Sequence, residues 1–352
     1  MEQPLLIRAD ATTRMGTGHV MRCLALAQAW IAGGGKAVFL SHCEVPALRR
    51  RVMQAGCEFI EIGRSYPAPE DVDTLMAAAA DNPDAAIALD GYQFDAAYQE
   101  TVKRIGRRLL VFDDYGHAAH YCADLVVNQN PGAEGRSYRC EPYTQVLRGP
   151  RYAVLRPEFA RWRSWQREIP DRARHILVTM GGSDPFNVTE QVIRALGLLD
   201  MPGIEATVVT GAGNPHLESI EHALKAAGAW ITLARDVTDM AGMMARADMA
   251  VSAGGTTAVE LAFMGVPSVM IALADNQAPT VRHLTRHRAA WSFGYAAHLD
   301  ERVLAGRVAS LLRDPSVRRQ MSRCGGALVD GLGAERVVAA LKGETGASEN
   351  GD

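Results

Sequence analysis

Short runs rich in Val, Ile and Leu, each giving way to a glycine-bearing or polar loop and then to an amphipathic stretch, recur along most of this chain. That alternation constrains its fold more than any other feature. Continuous apolar runs are what strands buried on both faces require, and parallel neighbours need a helix-length crossover between them. An α/β fold is therefore expected. In the first half the runs predict strands at Leu5–Ala9, Ala37–Leu40, Glu58–Ile62, Ala86–Leu89, Leu109–Phe112 and Leu125–Val127. In the second half they predict strands at Ile176–Thr179, Ala206–Val209, Trp230–Leu233, Met249–Ser252 and Ser268–Ile271. The first helix is expected from near Gly18, where Val20, Cys23, Leu24, Ala27 and Ile31 form one stripe against the sheet, and Gly33-Gly34-Gly35 ends it.

Between Asn128 and about Arg174 the rhythm fades, with Pro131, Pro142, Pro150, Pro157 and Pro170 punctuating a segment rich in Arg and Tyr. We therefore expect an α/β domain over 1–150, a linker over 151–174, a second α/β domain over 175–343, and a disordered tail over 344–352. Two doubly wound, Rossmann-like domains facing a cleft would place ligands beyond the carboxyl ends of their strands.

Composition narrows the function classes. The 352 residues carry 37 Lys and Arg against 40 Asp and Glu, a formal net charge of −3 that offers no general attraction to nucleic acid or anionic lipid. The beginning Met1-Glu2-Gln3-Pro4 has no basic leader, and no apolar run approaches the ~20 residues of a spanning helix. A cytoplasmic protein without a membrane or nucleic-acid partner is expected. Six cysteines without a Cys-x-x-Cys pair suggest reduced thiols.

The loops after strands carry the candidate chemistry. The first runs from Asp10 through Arg14, Gly16 and Gly18 to His19 at the start of a helix, where glycines let backbone approach an anion and the helix dipole favours it. A dinucleotide fingerprint would need a third glycine where Met21 stands, so a nicotinamide cofactor is not expected. The positive end of the dipole should hold His19 neutral and available as a general base, although a His that merely caps the helix satisfies the same spacing. Asp10 and Arg14 have equally plain alternatives, a turn former and a solvated charge.

The second loop, Gly181-Gly182-Ser183-Asp184, repeats the arrangement before a helix near Asn187, and could equally be a simple cap. The strongest local signal is Gly254-Gly255-Thr256-Thr257 leading to Glu260. Backbone N–H groups and Thr hydroxyls there can cradle a diphosphate, and a carboxylate one turn inward can accept from both ribose hydroxyls. Glu260 could instead close a capping box with Thr257. Asn276 and Gln277, at another strand's carboxyl end, offer donors and acceptors for sugar or phosphate, or simply make a turn. His283 and His287 lie four apart without a third ligand, and no acidic triplet follows a strand. No metal is expected to be required.

Several of these runs together resemble one family. Arg8-x-Asp10 with Gly16-x-Gly18-His19-x-x-Arg22-Cys23, Asn128-Gln129-Asn130, Leu155-Arg156-Pro157-Glu158-Phe159, Gly181-Gly182-Ser183-Asp184-Pro185 and Leu273-Ala274-Asp275-Asn276-Gln277 occur in the order seen in PseG hydrolases of pseudaminic acid biosynthesis. The likeness runs from about Leu5 to Leu341. It implies cleavage of UDP-2,4-diacetamido-2,4,6-trideoxy-β-L-altropyranose to UDP and free sugar, without a cofactor. That family is similar in fold to the MurG glycosyltransferase, which implies a two-domain GT-B architecture with nucleotide on the second domain. By the same resemblance His19 would activate water, Glu260 would bind ribose, and Gly254–Thr257 with Asn276 and Gln277 would hold diphosphate and sugar. Asp10, Arg14 and Ser183 transfer as further site residues. One departure is that Thr256-Thr257-Ala258-Val259-Glu260 follows the transferase pattern, where hydrolases often carry an aromatic.

Three functions fit these features: a UDP-sugar hydrolase, a MurG-like UDP-sugar glycosyltransferase, and a non-catalytic nucleotide-sugar-binding protein. The hydrolase and transferase use both loop sets, whereas a binding protein could dispense with His19.

Overall fold

The computed structural model describes residues 2–12, 15–182, 184–211 and 213–344. The chain divides into two compact units, Met1–Pro157 with Gly331–Asp352, and Glu158–Asp330. Arg14, Ser183 and the tail from residue 345 onward lie outside the described residues.

The first unit is built on seven parallel strands: β1 (Pro4–Ala9), β2 (Lys36–Ser41), β3 (Glu58–Glu61), β4 (Ala86–Asp90), β5 (Leu109–Phe112), β6 (Leu125–Asn128) and β7 (Gln145–Arg148). Their order is β3-β2-β1-β4-β5-β6-β7, so the chain reverses direction across the sheet between β1 and β4. Helices α1 (Gly18–Ala32), α2 (Pro46–Gln54), α3 (Pro69–Asp81) and α4 (Ala96–Lys103) cover it. Side chains alternate along β1: Leu5 and Ile7 pack with Val20, Leu24 and Ala27 of α1, while Leu6 packs with Leu75 of α3 and Tyr98 of α4. The stripe expected on the first helix is buried, except that Ile31 is half-buried.

The second unit repeats the plan with β8 (His175–Thr179), β9 (Glu205–Thr210), β10 (Ile231–Arg235), β11 (Met249–Ala253), β12 (Ser268–Ala272) and β13 (Trp291–Tyr295). All pairings are parallel, in the order β10-β9-β8-β11-β12-β13. Its helices are α5 (Val188–Gly197), α6 (Leu217–Ala227), α7 (Met240–Arg246), α8 (Thr256–Phe263), α9 (Ala278–Arg286), α10 (Glu301–Arg313) and α11 (Pro315–Leu328). The last helix, α12 (Gly333–Lys342), returns to the first unit.

The expected strands all form, with small shifts at their ends, and two more appear. β7 and β13 are edge strands whose residues are mostly half-buried or exposed. They lack the continuous apolar signature of a central strand because one side has no neighbour.

The domain boundaries differ from those expected. The segment 151–174 is not a free linker, for its backbone and side chains are tied down on both sides of Pro157. Val154 N–H donates to Gln129 Oε1 at 2.9 Å within the first unit. In the second unit the Arg167 guanidinium donates to the carbonyls of Met264, Ala247 and Met244 at 2.6–2.9 Å. Nor does the second unit run to 343. In α12, Val337 and Leu341 are fully buried against the core around α1, each burial stabilising by about 1.5–3 kcal/mol, so this helix belongs to the first unit. Among the described residues no helix is long and apolar enough to cross a membrane.

Candidate functional site

In the first unit four strands end in polar residues: Asp10 follows β1, Asp90 closes β4, Asp113 and Asp114 follow β5, and Asn128 closes β6. They line the carboxyl edge of one parallel sheet, and the first turn of α1 brings His19 and Arg22 to it, three residues apart on one helix face.

His19 Nδ1 lies 2.7 Å from Asp90 Oδ1. Arg22 donates to the same carboxylate through Nη2 at 2.7 Å and Nε at 2.8 Å, then reaches Asp114 through Nη1 at 2.7 Å. Asp114 also accepts from Tyr92 Oη and Asn130 Nδ2, each at 2.7 Å. The Tyr92 ring stands edge-on to His19 with centroids 4.8 Å apart. With a neutral imidazole this group of two carboxylates and one guanidinium carries a net charge of −1, and protonating His19 brings it to zero.

The charge balance moves the His19 pKa in the direction opposite to that expected from the helix dipole. Burial works against the imidazolium, but the Asp90 charge and hydrogen bond outweigh it, and the pKa is raised above its ordinary 6.5. The helix dipole is the weaker influence beside a carboxylate in direct contact. Asp90 also selects the tautomer: a carboxylate beside Nδ1 requires the proton there, which leaves the Nε2 lone pair free when the ring is neutral.

Asp10, expected among the catalytic residues, is engaged by internal partners. Its carboxylate is fully buried, pairs with Arg8, and accepts from His42 N–H at 2.7 Å and Gln93 Nε2 at 3.0 Å. Arg8 extends to Asp71, which accepts in turn from Tyr98 Oη and the Tyr66 N–H at 2.7 Å. These contacts make Asp10 a brace for the start of the first loop. Gly16, at φ +77°, returns its N–H to the Thr12 carbonyl at 2.9 Å and turns that loop, while Gly18 is exposed at the start of α1 with open space around it. Arg14 is outside the described residues.

In the second unit the two glycine loops differ. Gly181, at φ +87°, turns the chain after β8, and Asp184 then accepts from the N–H groups of Val188 at 3.0 Å and Thr189 at 2.8 Å. The start of α5 thus already faces a carboxylate. Ser183 is outside the described residues. At the second loop, Gly255 precedes α8 with no side chain capping it and no acidic residue in the first turn, while Thr256 is exposed and Thr257 half-buried. This geometry removes the capping-box reading of Glu260, since the N-cap is a glycine and the third helical residue is Ala258.

Gly254 is required sterically. A Cβ there would stand 2.5 Å from Val281 Cγ2 and 3.2 Å from the Gln277 carbonyl, so the β11 loop lies directly against the 273–278 turn. Gln277 braces that turn by accepting from the Leu273 N–H at 3.0 Å, with Asn276 half-buried beside it. The structure therefore brings Gly254, Gly255 and Gln277 together at the carboxyl edge of β11 and β12, with Glu260 one turn along α8 and nine-tenths buried. His283 on α9 and His287, which follows its last residue, stack at 4.1 Å, with His287 exposed.

Residues 175–331 match the Glycosyltransferase family 28 C-terminal domain. The match covers the second unit from its first strand onward and with it the Gly254–Glu260 segment. Among curated relatives, the spore coat polysaccharide biosynthesis protein SpsG of Bacillus subtilis is 27% identical over 261 residues, 72% of this chain and 76% of its own. The UDP-N-acetylglucosamine--N-acetylmuramyl-(pentapeptide) pyrophosphoryl-undecaprenol N-acetylglucosamine transferase of Bordetella parapertussis is 28% identical over 312 residues, 82% of this chain and 83% of its own. The UDP-2,4-diacetamido-2,4,6-trideoxy-beta-L-altropyranose hydrolase of Campylobacter jejuni is 24% identical over 220 residues, 62% of this chain and 73% of its own. The crystal structure of Acinetobacter baumannii MurG superposes with a TM-score of 0.67 at 18% identity, over 97% of this chain and 100% of that one. The fold is accordingly the two-domain α/β architecture of GT-B glycosyltransferases.

Asp90, Arg22, Asp114 and Tyr92 are not singled out by the loop pattern, which follows glycines. A second pattern points to Asp90 and to the Asp113-Asp114 pair: an Asp at or directly after the end of each of the apolar runs β1, β4 and β5.

Proposed function

We propose that the protein hydrolyses a UDP-sugar, with UDP anchored by the second unit and His19 activating water. The observation that carries this reading is the His19–Asp90 pair: a buried imidazole whose tautomer is set and whose basicity is raised by a carboxylate 2.7 Å away. In the step itself the water oxygen bonds to the anomeric carbon, and its proton passes to His19 Nε2. The bond from that carbon to the diphosphate oxygen breaks, and its electron pair leaves with UDP. The N–H groups and hydroxyls at the start of α8 receive the charge that develops there, and Glu260 accepts from the ribose hydroxyls. Attack at carbon from the side opposite the leaving group inverts the anomeric centre.

The substrate we assign is a UDP-linked 2,4-diacetamido-2,4,6-trideoxy sugar, supported by the ordered motifs shared with PseG hydrolases and by the Campylobacter relative. A second reading has its own support: the Bordetella transferase matches more of the chain, and Thr256–Glu260 follows the transferase pattern. In that reading an acceptor hydroxyl takes the place of water.

One experiment separates them. The protein is incubated with a panel of UDP-sugars without acceptor in oxygen-18 water, and UDP and sugar are analysed by anion exchange and mass spectrometry. Hydrolysis yields UDP without label and a sugar carrying it. Label in the phosphate refutes attack at carbon. No turnover until an acceptor is added establishes the transferase, and UDP-sugar binding without turnover under either condition establishes a binding protein.

A further inference from the structure

In the first unit, two stretches of irregular chain are held side by side. The Tyr121 N–H donates to the Arg139 carbonyl at 2.9 Å and the Glu141 N–H to the Tyr121 carbonyl at 3.2 Å, a short parallel bridge centred on Tyr121 and Cys140. Tyr121 is buried and points its hydroxyl to Asp113. Its neighbours His120 and Cys122 are half-exposed, as alternation along an extended segment requires. Glu141, on the adjoining stretch, is half-exposed beside them. One ligand atom each from His120, Cys122 and Glu141 falls within 4.8 Å of the other two, and His120 Nε2 is 3.0 Å from Glu141 Oε1. The backbone carrying the thiol is fixed further, its N–H donating to Gln99 Oε1 at 3.1 Å and its carbonyl accepting from Tyr143 Oη at 3.3 Å.

We propose that His120, Cys122 and Glu141 form a binding site for one zinc ion. The donor set of imidazole nitrogen, thiol sulfur and carboxylate oxygen matches the ligands zinc takes in proteins, and a sulfur donor selects against magnesium and calcium. On binding, Cys122 gives its proton to solvent and a zinc–sulfur bond forms. Before binding, His120 Nε2 carries the proton it donates to Glu141. The ring must therefore shift to the Nδ1–H tautomer, passing that proton through solvent, before the freed Nε2 lone pair binds the metal. One Glu141 oxygen then exchanges its hydrogen bond to His120 for a bond to the metal. Thiolate and carboxylate together balance the charge of the ion, and water fills the fourth position. The ion acts as a staple between the two stretches.

The test uses the full chain stripped with chelator and titrated with zinc against a chromophoric competitor, with cobalt as a spectroscopic probe. The wild type should bind one zinc and, with cobalt, show thiolate-to-metal charge-transfer absorption. C122S should lose that band and weaken zinc by more than about a hundredfold, beyond the 10–100-fold typical of outer-shell partners. C324S, in the second unit, should keep both. If C122S fails to fold, E141Q serves as a near-isosteric variant and should also weaken zinc while retaining the wild-type circular dichroism. Absence of stoichiometric zinc in the wild type, or zinc held equally by C122S and E141Q, would overturn the site.

Discussion

Replacing Asp90 with asparagine tests the catalytic assignment at the residue that governs His19. The carboxylate does two things to the ring: it sets the tautomer at 2.7 Å, and it supplies the charge that raises the imidazole pKa against the effect of burial. The substitution leaves Arg22 paired with Asp114 at 2.7 Å, so the guanidinium is not orphaned. The local charge nevertheless rises by one, and the Arg22 cation, already opposing protonation of His19, is no longer offset by Asp90. The His19 pKa must fall. Either orientation of the new amide sets an NH2 against a donor of Arg22 or His19, at a cost of about 1–3 kcal/mol for the unmade hydrogen bond. Loss of the correctly poised base should lower kcat by about 10²–10⁴, the usual contribution of general-base catalysis, which corresponds to about 3–5 kcal/mol in the barrier. The assay is UDP release against pH. For the wild type the rate should climb as His19 loses its proton, with the limb above pH 6.5 because the folded pKa is raised. In Asp90→Asn the limb should move to lower pH while UDP affinity, measured by calorimetry, stays within about twofold of wild type. Near-normal kcat with an unmoved limb in a folded variant would falsify the pairing as the source of the base.

Two further outcomes follow from single residues. Glu260→Ala should weaken UDP by about 1.5–3 kcal/mol, the range for a hydrogen bond to a charged group, and raise KM more than it lowers kcat; unchanged affinity by calorimetry refutes the ribose contact. Asp113 accepts from the N–H of Gly116 and the side chains of Tyr121 and Tyr138 at 2.7–2.8 Å, and although burial opposes its charge, hydrogen bonds from His117 and these groups bring its pKa down to about 2. A carboxylate with a depressed folded pKa stabilises above its unfolded value of 3.8 and loses that contribution as pH falls through about 2. Urea titrations across that window should show about 2 kcal/mol lost from the first unit. Asp113→Asn should remove that part of the acid dependence, and an unchanged slope refutes it.

The fold is legible where burial imposes a pattern. Strands β1, β4, β8, β11 and β12 sit inside their sheets and read as unbroken apolar runs, whereas β7 and β13 sit at edges and read as loop. The amphipathic period of α12 announces a helix but cannot say which core it joins, because Val337 and Leu341 would suit either. The same limit applies to the site. His19 and Glu260 stand out through their places after glycine loops, which are local. An Asp at the end of an apolar run marks Asp90 and the Asp113-Asp114 pair as strand-end carboxylates. These and Tyr92 gain their meaning only when parallel pairing sets the ends of β4 and β5 beside the start of α1, which sequence spacing does not specify.

The two glycine loops of the second unit look alike in sequence, yet the start of α5 faces a carboxylate and the start of α8 has no side-chain cap and no acidic residue in its first turn, and this difference can be tested. At α5 the amides of Val188 and Thr189 already donate to Asp184, so a phosphate placed there would meet a carboxylate. At α8 the N-cap is Gly255, and the tight fit of Gly254 against Val281 and Gln277 fixes the loop's approach to the 273–278 turn. Asp184→Asn should therefore cost about 1 kcal/mol of stability as a weakened cap while leaving UDP affinity unchanged. Gly254→Ala drives a methyl to 2.5 Å from Val281 Cγ2, a distance no packed pair sustains, so the loop must shift from the turn that carries Asn276 and Gln277. A displacement of that kind at a preorganised anion site should weaken UDP more than tenfold, about 1.4 kcal/mol, with far-ultraviolet circular dichroism unchanged. Calorimetry on both variants decides between the loops. If Asp184→Asn, still folded, loses UDP while Gly254→Ala binds it normally, the nucleotide belongs at α5 and the assignment to α8 fails.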